Sequence, residues 1–354
     1  MRSRVGQKTR FTFPERGKRD EMSHAAIIQK VPEEGIAYGV YDLAVSPADH
    51  AIFNFLACCG AFRVARRLAR IHVLIVLPER SSISVEAWHE LEHKALSFLQ
   101  PASELLLTNI GTSVFYNRAE AERFIRTLPQ RSIFPDNYSV SSPTSFHSME
   151  QVKALYSRLL PLGQFSATES SKRHVERWIR TWGIRTPTVS LTLPTTGNKK
   201  KDEQQFEIWA AFADFLKTQK MEPVFLPEGS GKSEIAELAA KARYRVYDPA
   251  DIMLDLRAAF YQRSRLNILT GTGSAWINFF LSNSRFIYIV GLKANASKKE
   301  RDHLTQPLGV EWGESPAFTP GAGFLWLEGT LENIIAGFEE MTQLERNSDE
   351  GRGV

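Results

Sequence analysis

The chain has 354 residues, 43% hydrophobic and 24% charged, with a formal net charge of +4. That length exceeds what one hydrophobic core usually spans and suits two α/β domains, and the composition excludes a fibrous or wholly disordered chain. No apolar run approaches the ~18 residues of a membrane-spanning helix, and the charged first thirty residues contain no signal-peptide core, so a cytosolic protein is expected.

The basic excess is local. Arg2, Arg4, Lys8, Arg10, Arg16, Lys18 and Arg19 stand against Glu15, a net of +6 in residues 1–19 that leaves −2 for the rest. Residues 1–34 therefore read as a disordered, solvated arm, with peripheral contact to the anionic inner face of a membrane as its alternative use. The remainder is not basic and gives no reason to expect a nucleic-acid partner.

Ile36 to Val45 reads as a strand, followed by Ser46-Pro47 and a helix from about Ala48 to Arg70. Ile52, Phe55, Leu56, Cys59 and Phe62 form its apolar face, while Arg63, Arg66, Arg67 and Arg70 form a solvated stripe near the C-terminal end of the dipole. Cys58 and Cys59 are adjacent within it, which disfavours a disulfide between them and predicts reduced, buried thiols. Ile71 to Leu77 is a continuous apolar strand, as in a sheet covered on both faces, and strand–helix–strand implies a right-handed parallel crossover. A helix over Ser84 to Gln100, a strand over Thr108 to Tyr116 and a helix over Arg118 to Leu128 complete a small doubly wound unit. Residues 129–147 read as loop.

Met149 to Leu160 and Ser170 to Trp182 read as helices bridging to a second unit, which restarts at the strand Val189 to Leu193. Alternating segments follow at 202–219, 222–226, 232–241, 244–247 and 251–263. Next comes LNILTGTGSAWINFFLSNSRFIYIVGL, residues 266–292: a strand, a glycine loop, a short apolar helix and another strand. The strand-like segment 324–327 and a helix over Leu331 to Arg346 close the chain. The fold class expected is α/β, with two Rossmann-like domains facing a cleft: an N-terminal domain at 35–165, a linker helix at 166–187, a C-terminal domain at 188–346 and a tail at 347–354.

The loop Thr270-Gly271-Thr272-Gly273-Ser274 fits a phosphate cradle. The glycines permit a tight turn and close backbone approach, while Thr272, Ser274 and the free N–H groups of the next helix can donate to an anion. An ordinary strand-to-helix turn with Ser274 as N-cap is the competing explanation.

Three segments together resemble the C-terminal half of two-domain, GT-B-like bacterial glycosyltransferases of the surface-polysaccharide type: residues 255–292, the strand VSLTL with its polar loop, and the closing FLWLEGTLENIIAGFEEM. YDLAVSPADHAIFNFL and IHVLIVLP are compatible with the acceptor domain of that family. The resemblance implies a nucleotide-sugar donor held by the C-terminal half, a saccharide acceptor facing it, and no further cofactor or metal. Residues 270–274 would hold the diphosphate, and Lys199, Lys200 or Lys201 from the polar loop 195–201 would stabilise the leaving group, which needs positive charge where phosphate charge develops. Pro194 stands where relatives often carry an arginine, and leaves a non-catalytic sugar-nucleotide or saccharide-binding protein as an alternative. An inverting transferase also needs a base for the acceptor hydroxyl. Asp42, Asp49 and His50 lie at or just beyond the C-terminal end of the first strand, where open α/β sheets place ligands, with Asp49 preferred. Ser46-Pro47-Ala48-Asp49 reads equally as a helix start.

Two further motifs point elsewhere. His89-Glu90-Leu91-Glu92-His93 has the zinc-peptidase spacing, but charged neighbours and the lack of a third ligand beyond Glu120 or Glu122 weigh against it. Gly229-Ser230-Gly231-Lys232-Ser233 follows a strand as a P-loop would, yet Leu226 replaces the first glycine. That segment is a turn in which Glu228 or Ser230 would serve the donor.

Overall fold

In the computed structural model of the chain, the described residues are 11–12, 35–158, 160–194, 198–228, 234–270, 273–291, 296–306, 308–316, 318–319, 322–326 and 328–350. They form a mixed α/β architecture containing two largely parallel sheets.

The N-terminal elements are β1 (Phe11–Thr12), β2 (Ile36–Asp42), α1 (Ala51–Ala65), β3 (Arg70–Val76), α2 (Val85–Lys94), α3 (Gln100–Glu104), β4 (Asn109–Phe115), α4 (Arg118–Arg126) and β5 (Ile133–Phe134). A π-helical turn, Ala95–Leu99, joins α2 to α3. The first sheet runs β4-β3-β2-β5, all parallel, with Val40 beside Leu74 and Ile75 beside Val114. Counted from β2 this order is 3-2-1-4, so the chain reverses its winding between β2 and β5.

Helices α5 (Met149–Ser157) and α6 (Glu169–Thr181) lead to the second set: β6 (Thr188–Pro194), α7 (Lys199–Thr218), β7 (Glu222–Glu228), α8 (Glu234–Lys241), β8 (Arg245–Val246), α9 (Pro249–Ile252), α10 (Leu254–Arg263), β9 (Leu266–Thr270), β10 (Phe286–Ile289), α11 (Lys298–Thr305), β11 (Ala322–Leu325) and α12 (Leu331–Glu350). The second sheet is ordered β11-β10-β9-β6-β7-β8. Counted from β6 that is 6-5-4-1-2-3, the order of doubly wound nucleotide-binding sheets, with its reversal between β6 and β9. Within the segment expected to be a disordered arm, β1 pairs antiparallel with β11, Phe11 opposite Leu325.

The core is continuous across both halves. Phe165, fully buried, meets Phe53 of α1 at 5.8 Å and Phe280 at 5.9 Å between ring centres, and its N–H donates to the Phe280 carbonyl at 3.1 Å. Helix α1 is buried on every side from Ile52 to Phe62, because the sheet covers one face and α3, α5 and the chain at 160–165 cover the others. Gly60 is required by the close approach: a Cβ there would lie 2.2 Å from the Gly163 Cα.

Several boundaries differ from expectation. The helix expected to reach Arg70 ends at Ala65, so the arginine stripe breaks up. Arg63 donates to the Leu68 carbonyl, Arg66 pairs with Asp136 at 2.8 Å, Arg67 adopts φ 55°, and Arg70 starts β3. The loop at 129–147 contains β5, too short to leave a periodic signal. The short helix after the glycine loop is 3-10, Gly273–Phe279. Cys58 and Cys59 are free and buried, and burial pushes both thiols well above their usual range.

Candidate functional site

Open parallel sheets collect ligands beyond their C-terminal strand ends, at the point where winding reverses. In the second sheet that point falls between β6 and β9, which end at Pro194 and Thr270; β7 ends beside β6 at Glu228. Thr192 Oγ1 lies 2.9 Å from the Tyr261 hydroxyl, which accepts from Arg257 Nη1 at 3.2 Å. Arg257, only 2% exposed, also donates to the carbonyls of Ala250 and Pro227. These bonds knit the ends of β6 and β7 to α10. Burial raises the pKa of Tyr261 and of Tyr288, and the Glu228 charge adds to both.

Gly273 has φ +81°, and a Cβ there would lie 2.3 Å from Glu228 Oε1. The glycine is therefore needed to admit the Glu228 carboxylate, which reaches from β7 past the end of β6 to the loop after β9. Thr270 is buried at the end of β9, its hydroxyl reaching toward the Thr192 carbonyl at 3.5 Å. Gly271, Thr272 and the side chain of Ser274 lie outside the described residues, as do residues 195–197 and the P-loop-like segment 229–233.

Lys199 and Lys200 were expected in a loop. They occupy instead the exposed first turn of α7, whose N-cap Asn198 accepts the Lys201 N–H at 3.2 Å. Cations in a first turn oppose the helix dipole, and the buried Asp202 of the same turn complements it.

On the N-terminal side, Asp42 ends β2 with its side chain fully buried. Arg118 grips both carboxylate oxygens at 2.8 and 2.9 Å, the Tyr138 hydroxyl donates at 2.6 Å and the Ala44 N–H at 2.9 Å. Holding these partners, Asp42 fixes the end of β2 to α4 and to residues 138–140, and its oxygens are not presented to an acceptor. Hydrogen bonding to Asp42 raises the Arg118 pKa, and burial raises that of Tyr138.

Asp49 is exposed at the start of α1, with Oδ1 accepting the Ala51 N–H at 2.8 Å. Two imidazoles feel its charge: burial lowers the pKa of His50 and of His147, and Asp49 opposes that shift in each. The carbonyl of His147 accepts from Asn54 Nδ2 of α1 at 3.0 Å. The His50 ring lies 4.9 Å from that of Trp276, tilted by 30°. Trp276 belongs to the 3-10 helix that the glycine loop opens, so this contact brings the candidate base and the candidate cradle together from opposite halves of the chain. His147 and Trp276 were not anticipated, since a histidine in a Ser/Pro-rich loop and a tryptophan in an apolar run carry no spacing signal.

The zinc-like pair is differently employed. His89 Nδ1 is 3.1 Å from Glu92, His93 Nδ1 is 3.2 Å from Ser97 Oγ, and Lys94 pairs with Glu90 at 2.7 Å. Among the described residues no three His, Cys, Asp or Glu side chains are grouped to hold a metal ion.

No protein-family model matches the chain, and neither does any curated protein. Solved structures do. A glycosyl transferase family 9 protein from Veillonella parvula superposes with TM-score 0.53 at 10% identity, over 88% of this chain and 98% of its own. The ADP-heptose LPS heptosyltransferase II of E. coli gives TM-score 0.51 at 10% identity, over 88% and 99%. The fold is therefore GT-B-like, shared along nearly the whole length of these glycosyltransferases. Among the described residues no helix is long and apolar enough to cross a membrane.

Proposed function

We propose that the protein is a GT-B-like glycosyltransferase that moves a sugar from a nucleotide-sugar donor to a saccharide acceptor in bacterial surface polysaccharide synthesis. Its two Rossmann-like domains would face a shared cleft, at the cytoplasmic side of the membrane. The observation that carries this reading is the His50–Trp276 contact, which joins the region beyond β2 to the region beyond β9. The donor diphosphate rests in residues 270–274 with Lys199 and Lys200 beside it. Charge building on the departing nucleoside diphosphate is met by backbone N–H groups and by these lysines, without a metal. Asp49, exposed and next to His50, takes the proton of the acceptor hydroxyl as the new glycosidic bond forms. Glu228, beside Gly273, faces the donor rather than the acceptor.

The test is a transfer assay across nucleotide sugars, beginning with ADP-linked heptose, the donor named for one structure of the same fold. Asp49→Asn is expected to lower kcat by about 10²–10⁴ with little change in KM, the usual span for loss of a general base. Full activity in a folded Asp49→Asn protein would remove Asp49 from the mechanism. Nucleotide binding without transfer to any acceptor would favour the sugar-nucleotide-binding alternative.

A further inference from the structure

The body of the chain is slightly acidic, yet its cations are not evenly spread. Five consecutive strands of the second sheet are each preceded by an exposed cation: Arg185 before β6, Lys220 before β7, Arg243 before β8, Arg265 before β9 and Arg285 before β10. These strands are parallel neighbours in the order β10-β9-β6-β7-β8, so the five residues line one end of the sheet. At about 4.8 Å per strand the row is roughly 20 Å long. It lies at the N-terminal strand ends, opposite the end that carries Thr270 and Glu228.

More positive charge borders the row. Arg180, Lys217, Lys241 and Arg263 fall in the last turns of α6, α7, α8 and α10, which end on the same side. A cation in a last turn offsets the negative end of the helix dipole, which accounts for these four. It does not account for Arg185, beyond the end of α6. Three of the acids nearby are paired: Glu222 with Arg245 at 2.8 Å, Asp214 with Lys217 at 3.5 Å, and Glu176 with Arg263; Glu339 and Glu340 of α12, which packs on α7, also border this end. Trp182, 51% exposed, stands just beyond α6 with the Arg245 guanidinium 5.1 Å from its ring centre.

We infer that this end of the sheet docks on an anionic lipid bilayer. A row of exposed cations along neighbouring strand ends suits a negatively charged surface, and an exposed indole beside it suits the headgroup region. Single-stranded nucleic acid calls for several exposed rings interleaved with the cations; beside Trp182, the described residues of this face add Tyr244, which is half-buried, with its hydroxyl donating to the Ala210 carbonyl at 3.0 Å and Lys217 over its ring at 4.3 Å. Docked this way, the opposite strand ends, with Glu228 and Thr270, stay clear of the membrane. This inference rests on the placement of these cations and of Trp182 and stands whether or not the protein transfers sugars.

The experiment is co-sedimentation of the full chain with vesicles of phosphatidylcholine alone or with 30% phosphatidylglycerol, at low and high salt. The informative variant is Arg185→Gln/Lys220→Asn/Arg243→Asn. Asparagine is chosen because Lys220 and Arg243 have φ of 57° and 62°, where it is well tolerated. A control replaces Arg2, Arg4 and Lys8 of the arm with Gln, and the melting temperature of each variant establishes folding. Binding is expected only to the anionic vesicles and to fade with salt. At about fivefold per cation, the triple variant should bind roughly a hundredfold more weakly, with the arm control close to the parent. Trp182→Ala should also weaken it. Absence of anionic-vesicle binding, equal binding by the folded triple variant, or loss through the arm control alone would each overturn the inference. So would triple-sensitive binding to a single-stranded oligonucleotide with none to vesicles.

Discussion

His50, at the head of α1, lies against Trp276, in the 3-10 helix that follows β9, with ring centres 4.9 Å apart. Trp276 is 1% exposed and also lies against Phe279 at 5.1 Å, so its position is set by the core and His50 takes its place against it. Trp276→Ala should cost about 3–5 kcal/mol of unfolding free energy, the range for emptying a buried aromatic site. The same change lets water reach His50 and should move its pKa up toward the ordinary value of about 6.5. Denaturant unfolding and NMR titration read the two effects. An unmoved His50 pKa would mean that burial against Trp276 is not its cause.

The ion pair of Asp42 and Arg118 is a structural joint. Its side chains are 0% and 13% exposed, so removing one charge strands the other. Arg118→Ala should destabilise by about 3–5 kcal/mol, and Arg118→Lys should recover only part of that, since one ammonium cannot reproduce the two-pronged grip. If Arg118→Ala unfolds like the parent, Asp42 is not buried with its charge in the way described.

Acid should weaken the fold through histidine. Burial lowers the pKa of His50, His72 and His147. Below their unfolded values, near 6.5, the unfolded chain takes up protons that the folded chain refuses, so stability falls as pH drops from about 7 toward the folded pKa values. His147→Gln should flatten that slope. A slope unchanged in this variant would exclude His147 as a contributor.

Much of the fold was legible because doubly wound units repeat a strand–helix alternation with strong periodic signals; β3 and α4 were placed to within two residues at each end. The ends of α1 were less readable. Its arginines continue the helical spacing, but the chain turns at Arg67 to start β3, and α1 is buried all round because the segment at 160–165, far away in sequence, packs upon it. At the site, Asp49 and His50 stand out as polar residues after a strand. The partners that give them meaning, Trp276 and His147, come from other parts of the chain, and only tertiary packing brings them near. Asp42 shows the converse: a carboxylate at a strand end reads as catalytic until Arg118 and Tyr138 are seen to hold it.

Gly273 and Glu228 should be energetically coupled. Gly273→Ala meets two penalties: backbone strain at φ +81°, about 1–2 kcal/mol, and collision of the new Cβ with the Glu228 carboxylate. Adding Glu228→Ala should relieve the second and leave the first, giving a coupling energy of about 0.5–3 kcal/mol in a double-mutant cycle. Strict additivity would show that the carboxylate does not press on the glycine in solution.

The nucleotide cradle is tested most directly by calorimetric titration of the parent protein, Gly273→Val, Ser274→Ala and Lys199→Ala/Lys200→Ala with ADP, UDP, GDP and CDP. At least one nucleoside diphosphate should bind the parent. Ser274→Ala should lose on the order of 1 kcal/mol, the double lysine variant at least as much, and folded Gly273→Val most of the affinity. A parent that binds none of these nucleotides, or a folded Gly273→Val protein that binds one as tightly as the parent, would contradict the cradle and with it the proposed donor site.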